Sequence, residues 1–331
     1  MPTLDEICTS ILTQKTTSIV ILTGAGISTS AGIPDFRTPV VGLYDKLTPL
    51  QLPYPEAIFH ISYFRHTPEP FYAIARARHP RNLKPTLSHA FLALLAKKGV
   101  LRFVFTQNID GLEIDAGVPG DKVLNCHGSW KTQRCFKCKT VYADDLMKDA
   151  IGRGCVPYCP VEGCGGVVKP DVVFFGESLP AAFGEMESEV VGEADLMIVM
   201  GTSLKVAPVS GVPRKVGMGV PRILVNNDVV GDFGARGDDD VCLIGGCDEG
   251  VREIVRKLGW GEELEEVWRE AVERKERVLE EEGWDDDDGP GLDECIARAA
   301  EAMKLRMGVS DGHRRMLEGH LAEKMAGMME R

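Results

Sequence analysis

The sequence has no cationic surplus. Its 331 residues hold 38 Lys and Arg against 50 Asp and Glu, a formal net charge of −12. Proteins that grip nucleic acid neutralise phosphates with clustered Lys and Arg, so direct nucleic-acid binding is not expected. Long apolar runs are also missing. No stretch approaches the ~18–20 uninterrupted apolar residues of a spanning helix, so no membrane partner is expected either. The start, Met1 to Thr17, carries Asp5, Glu6, a single Lys15 and no apolar run, unlike a secretory signal or an Arg-rich transit peptide. The expectation is a soluble protein of the cytoplasm, the nucleus or both.

What is present points to an ordinary globular chain, at 44% hydrophobic and 27% charged. The charge is divided unevenly. Residues 262–331 hold 21 acidic and 11 basic side chains, which places −10 there and leaves −2 for residues 1–261. A near-neutral body, large enough to bury a substantial core, precedes an acidic tail. Ten cysteines in a reducing compartment suggest metal ligands or free thiols before disulfides.

An apolar, β-branched run from Ser18 to Leu22 ends at Thr23-Gly24-Ala25-Gly26, the pattern of a buried strand feeding a glycine turn. Similar runs at Leu101 to Phe105, Val172 to Phe175, Leu196 to Met200 and Arg222 to Val225 end in polar or glycine-bearing segments. Helically spaced residues such as Leu87, Phe91, Leu94 and Leu95 lie between them. This alternation predicts an α/β fold, with a doubly wound parallel sheet that binds ligands at the carboxyl ends of its strands. Lys131 to Lys169 breaks the rhythm as a cysteine-rich, apolar-poor insertion. Beyond Trp260, two helical stripes follow, Leu264, Val267, Trp268, Ala271 and Val272, then Leu292, Cys295, Ile296, Ala299 and Met303. An acidic loop around Asp285 to Asp288 separates them.

Several strand ends carry chemistry. Gly24-x-Gly26 lets backbone approach a pyrophosphate, although Thr29 stands where the dinucleotide fingerprint wants a third glycine, and an ordinary strand-to-helix turn is the alternative. Gly32 to Arg37 then offers a polar loop with Asp35 and Arg37 that can fold over a ligand. Thr106-Gln107-Asn108-Ile109-Asp110-Gly111 places amide and carboxylate groups where a carboxamide can be recognised; a polar turn capping a helix is the plain reading. His127, one of seven histidines, is a candidate general base through its place after a short apolar stretch. Gly201-Thr202-Ser203 and Asn226-Asn227-Asp228 supply groups suited to ribose and phosphate.

Cys135-x2-Cys138 and Cys159-x4-Cys164 fit a closed, structural four-thiolate zinc site. Cys155 competes with the second pair, but Gly163, Gly165 and Gly166 allow the tight turn that a Cys159 and Cys164 knuckle needs.

Taken in order, Gly24 to Arg37, Thr106 to Gly111, His127-Gly128, the paired cysteines, Val172 to Glu177 and Gly201 to Leu204 resemble the motifs of sirtuins, NAD-dependent protein-lysine deacylases. The resemblance spans about Ile7 to Trp260 and is nearest to the Hst2-type subgroup. It implies a Rossmann-like domain (1–40, 88–130, 170–261), a small domain built from a helical insertion (41–87) and a zinc ribbon (131–169), and a partly helical acidic extension (262–331). It also implies NAD contacts from Gly24, Ala25, Gly26, Ile27, Ser28, Thr29, Asp35, Phe36, Arg37, Gln107, Asn108, Ile109, Asp110, Gly201, Thr202, Ser203, Asn226, Asn227, Asp228 and Cys247.

The resemblance further implies that Asn108 and Asp110 hold the nicotinamide carboxamide and that His127 is general base toward the ribose hydroxyls. An acetyl-lysine peptide, such as a histone tail, would add a strand between Val173, Phe174, Phe175, Gly176, Glu177 and the segment around Val206. NAD would be consumed, giving nicotinamide, free lysine and O-acetyl-ADP-ribose, with one zinc purely structural. Phe59, Phe64 and Phe71 suggest an acyl pocket suited to acetyl or long acyl groups rather than succinyl. Two rival readings are an ADP-ribosyltransferase on the same site and a non-catalytic, NAD-binding zinc-ribbon scaffold. The tail is expected to pack on the core, to self-associate or to regulate the site.

Overall fold

The structure is a computed structural model that describes residues 3–33, 48–78, 83–236, 239–282 and 292–307. Asp35, Phe36 and Arg37, the acidic loop at Asp285 to Asp288, and the chain after Met307 lie outside the described residues. The chain forms two compact units.

The first unit comprises Met1–Thr38, Pro80–Lys131 and Ser178–Trp284. Its sheet contains β1 (Ile19–Thr23), β2 (Leu101–Thr106), β3 (Val123–Asn125), β6 (Leu196–Met200), β7 (Arg222–Asn226) and β8 (Asp240–Ile244), in spatial order β3-β2-β1-β6-β7-β8. Every described pairing is parallel. All five residues of β1 are buried, as befits a central parallel strand covered on both faces.

The two faces sort by period two. Ile19 and Ile21 join a core with helices α1 (Leu4–Leu12), α4 (Leu87–Lys97), α8 (Cys247–Leu258) and α9 (Gly261–Glu282), whereas Val20 and Leu22 join Phe103, Phe105 and α7 (Ala182–Val190) on the opposite side. The order reverses at β1: the chain moves outward to β2 and β3, then returns to build β6, β7 and β8 on the other flank. That reversal opens the crevice in which such sheets bind ligands. Arg222 on β7 is fully buried and forked onto Asp240 of β8 at 2.7 and 2.8 Å, with Asp232 at 3.1 Å, so the loop after β7 is tied to the sheet by a desolvated ion network.

The second unit comprises Pro39–His79, Thr132–Glu177 and Asp285–Arg331. It contains α2 (Ile61–His66), α3 (Glu69–Arg78), α6 (Asp144–Gly152) and α10 (Leu292–Met307), with β5 (Val168–Val172) and residues 132–135 of its sheet partner β4 (Gly128–Cys135), which begins in the first unit. Phe64 packs edge-on against Phe71 and Phe174, at ring separations of 5.5 and 5.2 Å.

Both tail stripes fold as helices, but in different units. In the first, α9 buries Leu264, Val267 and Ala271, and Trp268 Nε1 donates to the Pro85 carbonyl at 2.8 Å. In the second, Cys295, Ile296, Ala299, Ala300 and Met303 of α10 cover Leu50, Ile58, Ala73 and Ile74. The fit is close: a Cβ on Gly154 would stand 2.6 Å from Cys295 Sγ. The run Val172 to Phe175 behaves differently from its sequence pattern. β5 ends at Val172, and the Glu177 carboxylate turns back to accept from Phe174 N at 2.9 Å.

Candidate active site and metal centre

In the first unit the polar segments follow consecutive strand ends. Main-chain hydrogen bonding continues past the strands: Gly24 N donates to Met200 O, Gln107 N to Thr23 O, Cys126 N to Thr106 O and Gly201 N to Val225 O. Each turn is therefore fixed by the strand beside it. The two turn glycines are required by close packing. A Cβ on Gly26 would lie 2.6 Å from the Gly201 Cα, one on Gly24 would lie 2.8 Å from the Gly201 carbonyl oxygen, and Gly201 has φ +60°. The missing third glycine is explained at Thr29, whose hydroxyl donates to Gly26 O at 3.0 Å within a short 3-10 turn.

Gln107 joins three strand ends. Its side-chain amide donates to Thr202 Oγ1 at 2.8 Å and to Thr23 O at 3.2 Å, and its carbonyl accepts from His127 Nδ1 at 2.9 Å. Because a carbonyl can only accept, the His127 hydrogen sits on Nδ1 and Nε2 keeps its lone pair. Nε2 is buried and makes no hydrogen bond within the described protein. Burial lowers the His127 pKa below its ordinary 6.5, favouring the neutral ring. A neutral imidazole with its tautomer fixed and Nε2 unengaged is a proton acceptor awaiting a partner, and a hydroxyl of a bound ribose fits it.

Next to it, Asn108 Nδ2 donates to Gly24 O at 3.1 Å and to Ser28 Oγ at 3.3 Å. Ser28 Oγ in turn donates to Asp110 Oδ2 at 2.8 Å, while Asp110 Oδ1 accepts from Leu112 N at 3.0 Å. Ser28, Asn108 and Asp110, singled out from separate motifs, thus form one hydrogen-bonded group. Ile27 and Ile109 flank it in sequence, and the Ile27 carbonyl accepts from Thr86 Oγ1 at 2.8 Å. At the next strand end, Asn226 Nδ2 donates to Asp228 O at 2.8 Å, Asn227 is exposed, and the buried Cys247 thiol lies against Val225 O with its pKa pushed up to about 12 by burial. Ala25 and Ser203 line the turns that carry Gly24 and Thr202. Val206 belongs to the first unit, Val173 to Glu177 to the second. Within the second, Phe174 is buried and Phe175 half exposed, its backbone bridged in parallel to His60.

Three residues beside this group were not foreseen. Asp248 accepts from Ser88 N and Ser88 Oγ with one oxygen and from Ser30 Oγ, at 2.6 Å, with the other. His89, fully buried, approaches Ser28 Oγ at 3.5 Å, and Glu113, fully buried, accepts from Thr23 Oγ1 at 3.2 Å. Only the TxxH spacing of Thr86 and His89, a capping box in the structure, carried a local signal.

The sulfurs of Cys135, Cys138, Cys159 and Cys164 lie within 4.8 Å of one another, with Cys135 to Cys164 at 3.6 Å and Cys138 to Cys159 at 3.5 Å. A tetrahedral zinc with bonds of about 2.3 Å would space its thiolates about 3.8 Å apart, so the set fits one closed zinc site. Lys137 N and Cys138 N both point at Cys135 Sγ, as in a knuckle. Gly163 and Gly165 take positive φ, and a Cβ on Gly166 would stand 2.6 Å from Cys135 Sγ. Cys155 is exposed and outside the four-sulfur set.

The Sir2 family model matches residues 24–208. The chain belongs to the Sir2 family. It is 62% identical over 99% of its length to the NAD-dependent protein deacetylase hst2-2 of Emericella nidulans, covering 93% of that protein. It is 41% identical over 91% of its length to the NAD-dependent protein deacetylase sirtuin-2 of Danio rerio, covering 83% of it, and 42% identical over 79% to sirtuin-3 of Mus musculus, covering 78%. The sirtuin turn, Gly24 to Thr29, therefore begins the matched region, and the zinc cluster lies inside it. No described helix is long and apolar enough to cross a membrane.

Proposed function

We propose that the protein is an NAD-dependent protein-lysine deacetylase that acts on acetyl-lysine in histone tails or other proteins. The observation that carries this reading is the fixed tautomer of His127, whose Nε2 is buried, neutral and unengaged beside the Ser28, Asn108 and Asp110 group. A scaffold that merely binds NAD has no use for a desolvated proton acceptor there, whereas a sirtuin needs one.

When bound, NAD supplies the glycosidic bond whose cleavage drives deacetylation. The chain's own residues supply the rest. Asn108 and Asp110 hold the carboxamide, for which an amide and a carboxylate offer one donor and one acceptor. His127 accepts a ribose hydroxyl proton at Nε2, and the Gln107 carbonyl keeps the opposite ring hydrogen in place. Gln107, Thr202, Ser203 and Asn226 to Asp228 bind ribose and phosphate oxygens, with Cys247 near the adenine. Asp35, Phe36 and Arg37, outside the described residues, add contacts to NAD. Main-chain groups of Val173 to Glu177 offer pairing to the peptide. Cys135, Cys138, Cys159 and Cys164 hold one zinc that organises the ribbon and takes no part in the chemistry. Cytoplasm and nucleus are the proposed compartments.

The test is a panel of acyl-lysine peptides incubated with and without NAD and read for O-acyl-ADP-ribose. Product only with NAD supports the reading. Transfer of label from NAD onto protein without that product would instead favour ADP-ribosyl transfer, and no turnover with any peptide would leave the scaffold reading standing.

A further inference from the structure

Beneath the Ser28, Asn108 and Asp110 group lies a second acid that the sirtuin reading does not use. Glu113 stands on α5 (Leu112–Asp115) and is 0% exposed. One ligand-type atom from each of His89, Asp110 and Glu113 lies within 4.8 Å of the others. Two carboxyl groups at that separation, one of them wholly desolvated, do not both ionise readily. The hydrogen bonds assign the charge. Asp110 accepts donors at both oxygens, the pattern of a carboxylate, from Ser28 Oγ and Leu112 N. Glu113 has a hydroxyl partner on Oε1, from Thr23, while Oε2 is buried and makes no hydrogen bond among the described residues.

A cation bridging the three groups is disfavoured by His89. Its Nδ1 accepts from Thr86 N at 3.1 Å, and the Thr86 hydroxyl hydrogen is already given to Ile27 O, so the neutral ring carries its hydrogen on Nε2 and has no lone pair to offer. That Nε2–H points to Ser28 Oγ. What remains is a proton.

We propose that Glu113 is a positioning residue of the deacetylase site: as a neutral acid it leaves Asp110 the single negative charge of the pair, which holds the Ser28 hydroxyl and, through it, the Asn108 carboxamide. Burial, reinforced by the Asp110 charge, pushes the Glu113 pKa up to about 7. Other groups face it too: His89 from α4, Cys126 after β3, and the hydroxyls of Thr23 and Thr106 at the ends of β1 and β2. Cys126 and His89 are held neutral by burial, so neither compensates a second negative charge. Ionisation releases the Glu113 proton to solvent and sets two carboxylates against each other below the nicotinamide-holding residues. The consequence is a weaker hold on NAD on the alkaline side.

This inference rests on the deacetylase reading for its kinetic consequence, so its test has an activity-independent arm. The infrared carboxylic-acid C=O band is recorded as a difference between the parent and E113Q, at about pH 6 and about pH 9 on either side of the expected titration. A band present at the lower pH and lost at the higher one is expected, and its absence at the lower pH overturns the proposal whatever the enzyme does. The kinetic arm follows kcat/KM for NAD against pH. In the parent it should fall about tenfold per pH unit above the Glu113 pKa, and in E113Q that alkaline limb should vanish, because the amide cannot ionise. An unchanged alkaline limb in E113Q overturns the proposal while leaving deacetylation itself intact. E113Q that fails to fold overturns it as well, since glutamine reproduces the shape and charge assigned to Glu113.

Discussion

His127 Nδ1 donates to the main-chain carbonyl of Gln107 across 2.9 Å. Gln107 is itself fixed through Thr23 and Thr202, so the ring's orientation is inherited from three parallel strands rather than from a mobile side chain. The tautomer that leaves Nε2 basic is thus a property of the sheet.

The pH dependence follows in sign. The His127 pKa is lowered from 6.5 by burial, and a general base works deprotonated. The contribution of His127 should therefore be lost as pH falls through a value below 6.5, and a pH profile of kcat/KM should place the acid limb there. H127A should reduce turnover roughly 10²- to 10⁴-fold, the ordinary contribution of a positioned base. NAD binding by H127A, followed by calorimetry, should persist.

Zinc should be stoichiometric and structural. C135S or C164S should lose bound zinc in elemental analysis and unfold the ribbon, whereas C155S should retain one zinc per chain, because Cys155 lies outside the four-sulfur set. A chain with well under one zinc would remove this site.

Gly26→Ala is expected to cost about 1–3 kcal/mol, because its methyl would meet backbone atoms of Gly201 that cannot rotate away. Urea denaturation reads the cost. A loss below about 0.5 kcal/mol, the level of an ordinary surface change, would show that the two turns can separate.

The helix that follows Trp260 is an integral part of the first unit. Leu264, 2% exposed, should cost about 2–5 kcal/mol on change to Ala. Ending the chain after Trp260 should lower its thermal stability, and ending it after Glu282 should expose Leu50, Ile58 and Ile74 and raise binding of an apolar dye. Equal stability of the full and shortened chains would contradict the packing of both helices.

Much of this was legible in the sequence because the buried strands are short apolar runs. Leu196 to Met200 needed no correction, and β1 and β2 shifted by one residue at their ends. β8 was not legible, since its residues are only partly buried and begin in an acidic stretch. Cysteine spacing favoured Cys159 over Cys155 through the glycines beside it, and the structure brings together that same set. Glu113 and Asp248 escaped notice because their meaning depends on groups far away in the chain: Thr23 lies 90 residues from Glu113, and Ser30 lies 218 from Asp248. Periodicity reports which face is buried, not which buried acid meets another.

The seating of Cys295, Ile296 and Met303 on Leu50, Ile58 and Ile74 has a bearing on biosynthesis. A ribosome delivers Leu50 long before Met303. Until α10 emerges, the nascent second unit presents an uncovered apolar face and is the natural place for a chaperone to attend the growing polypeptide.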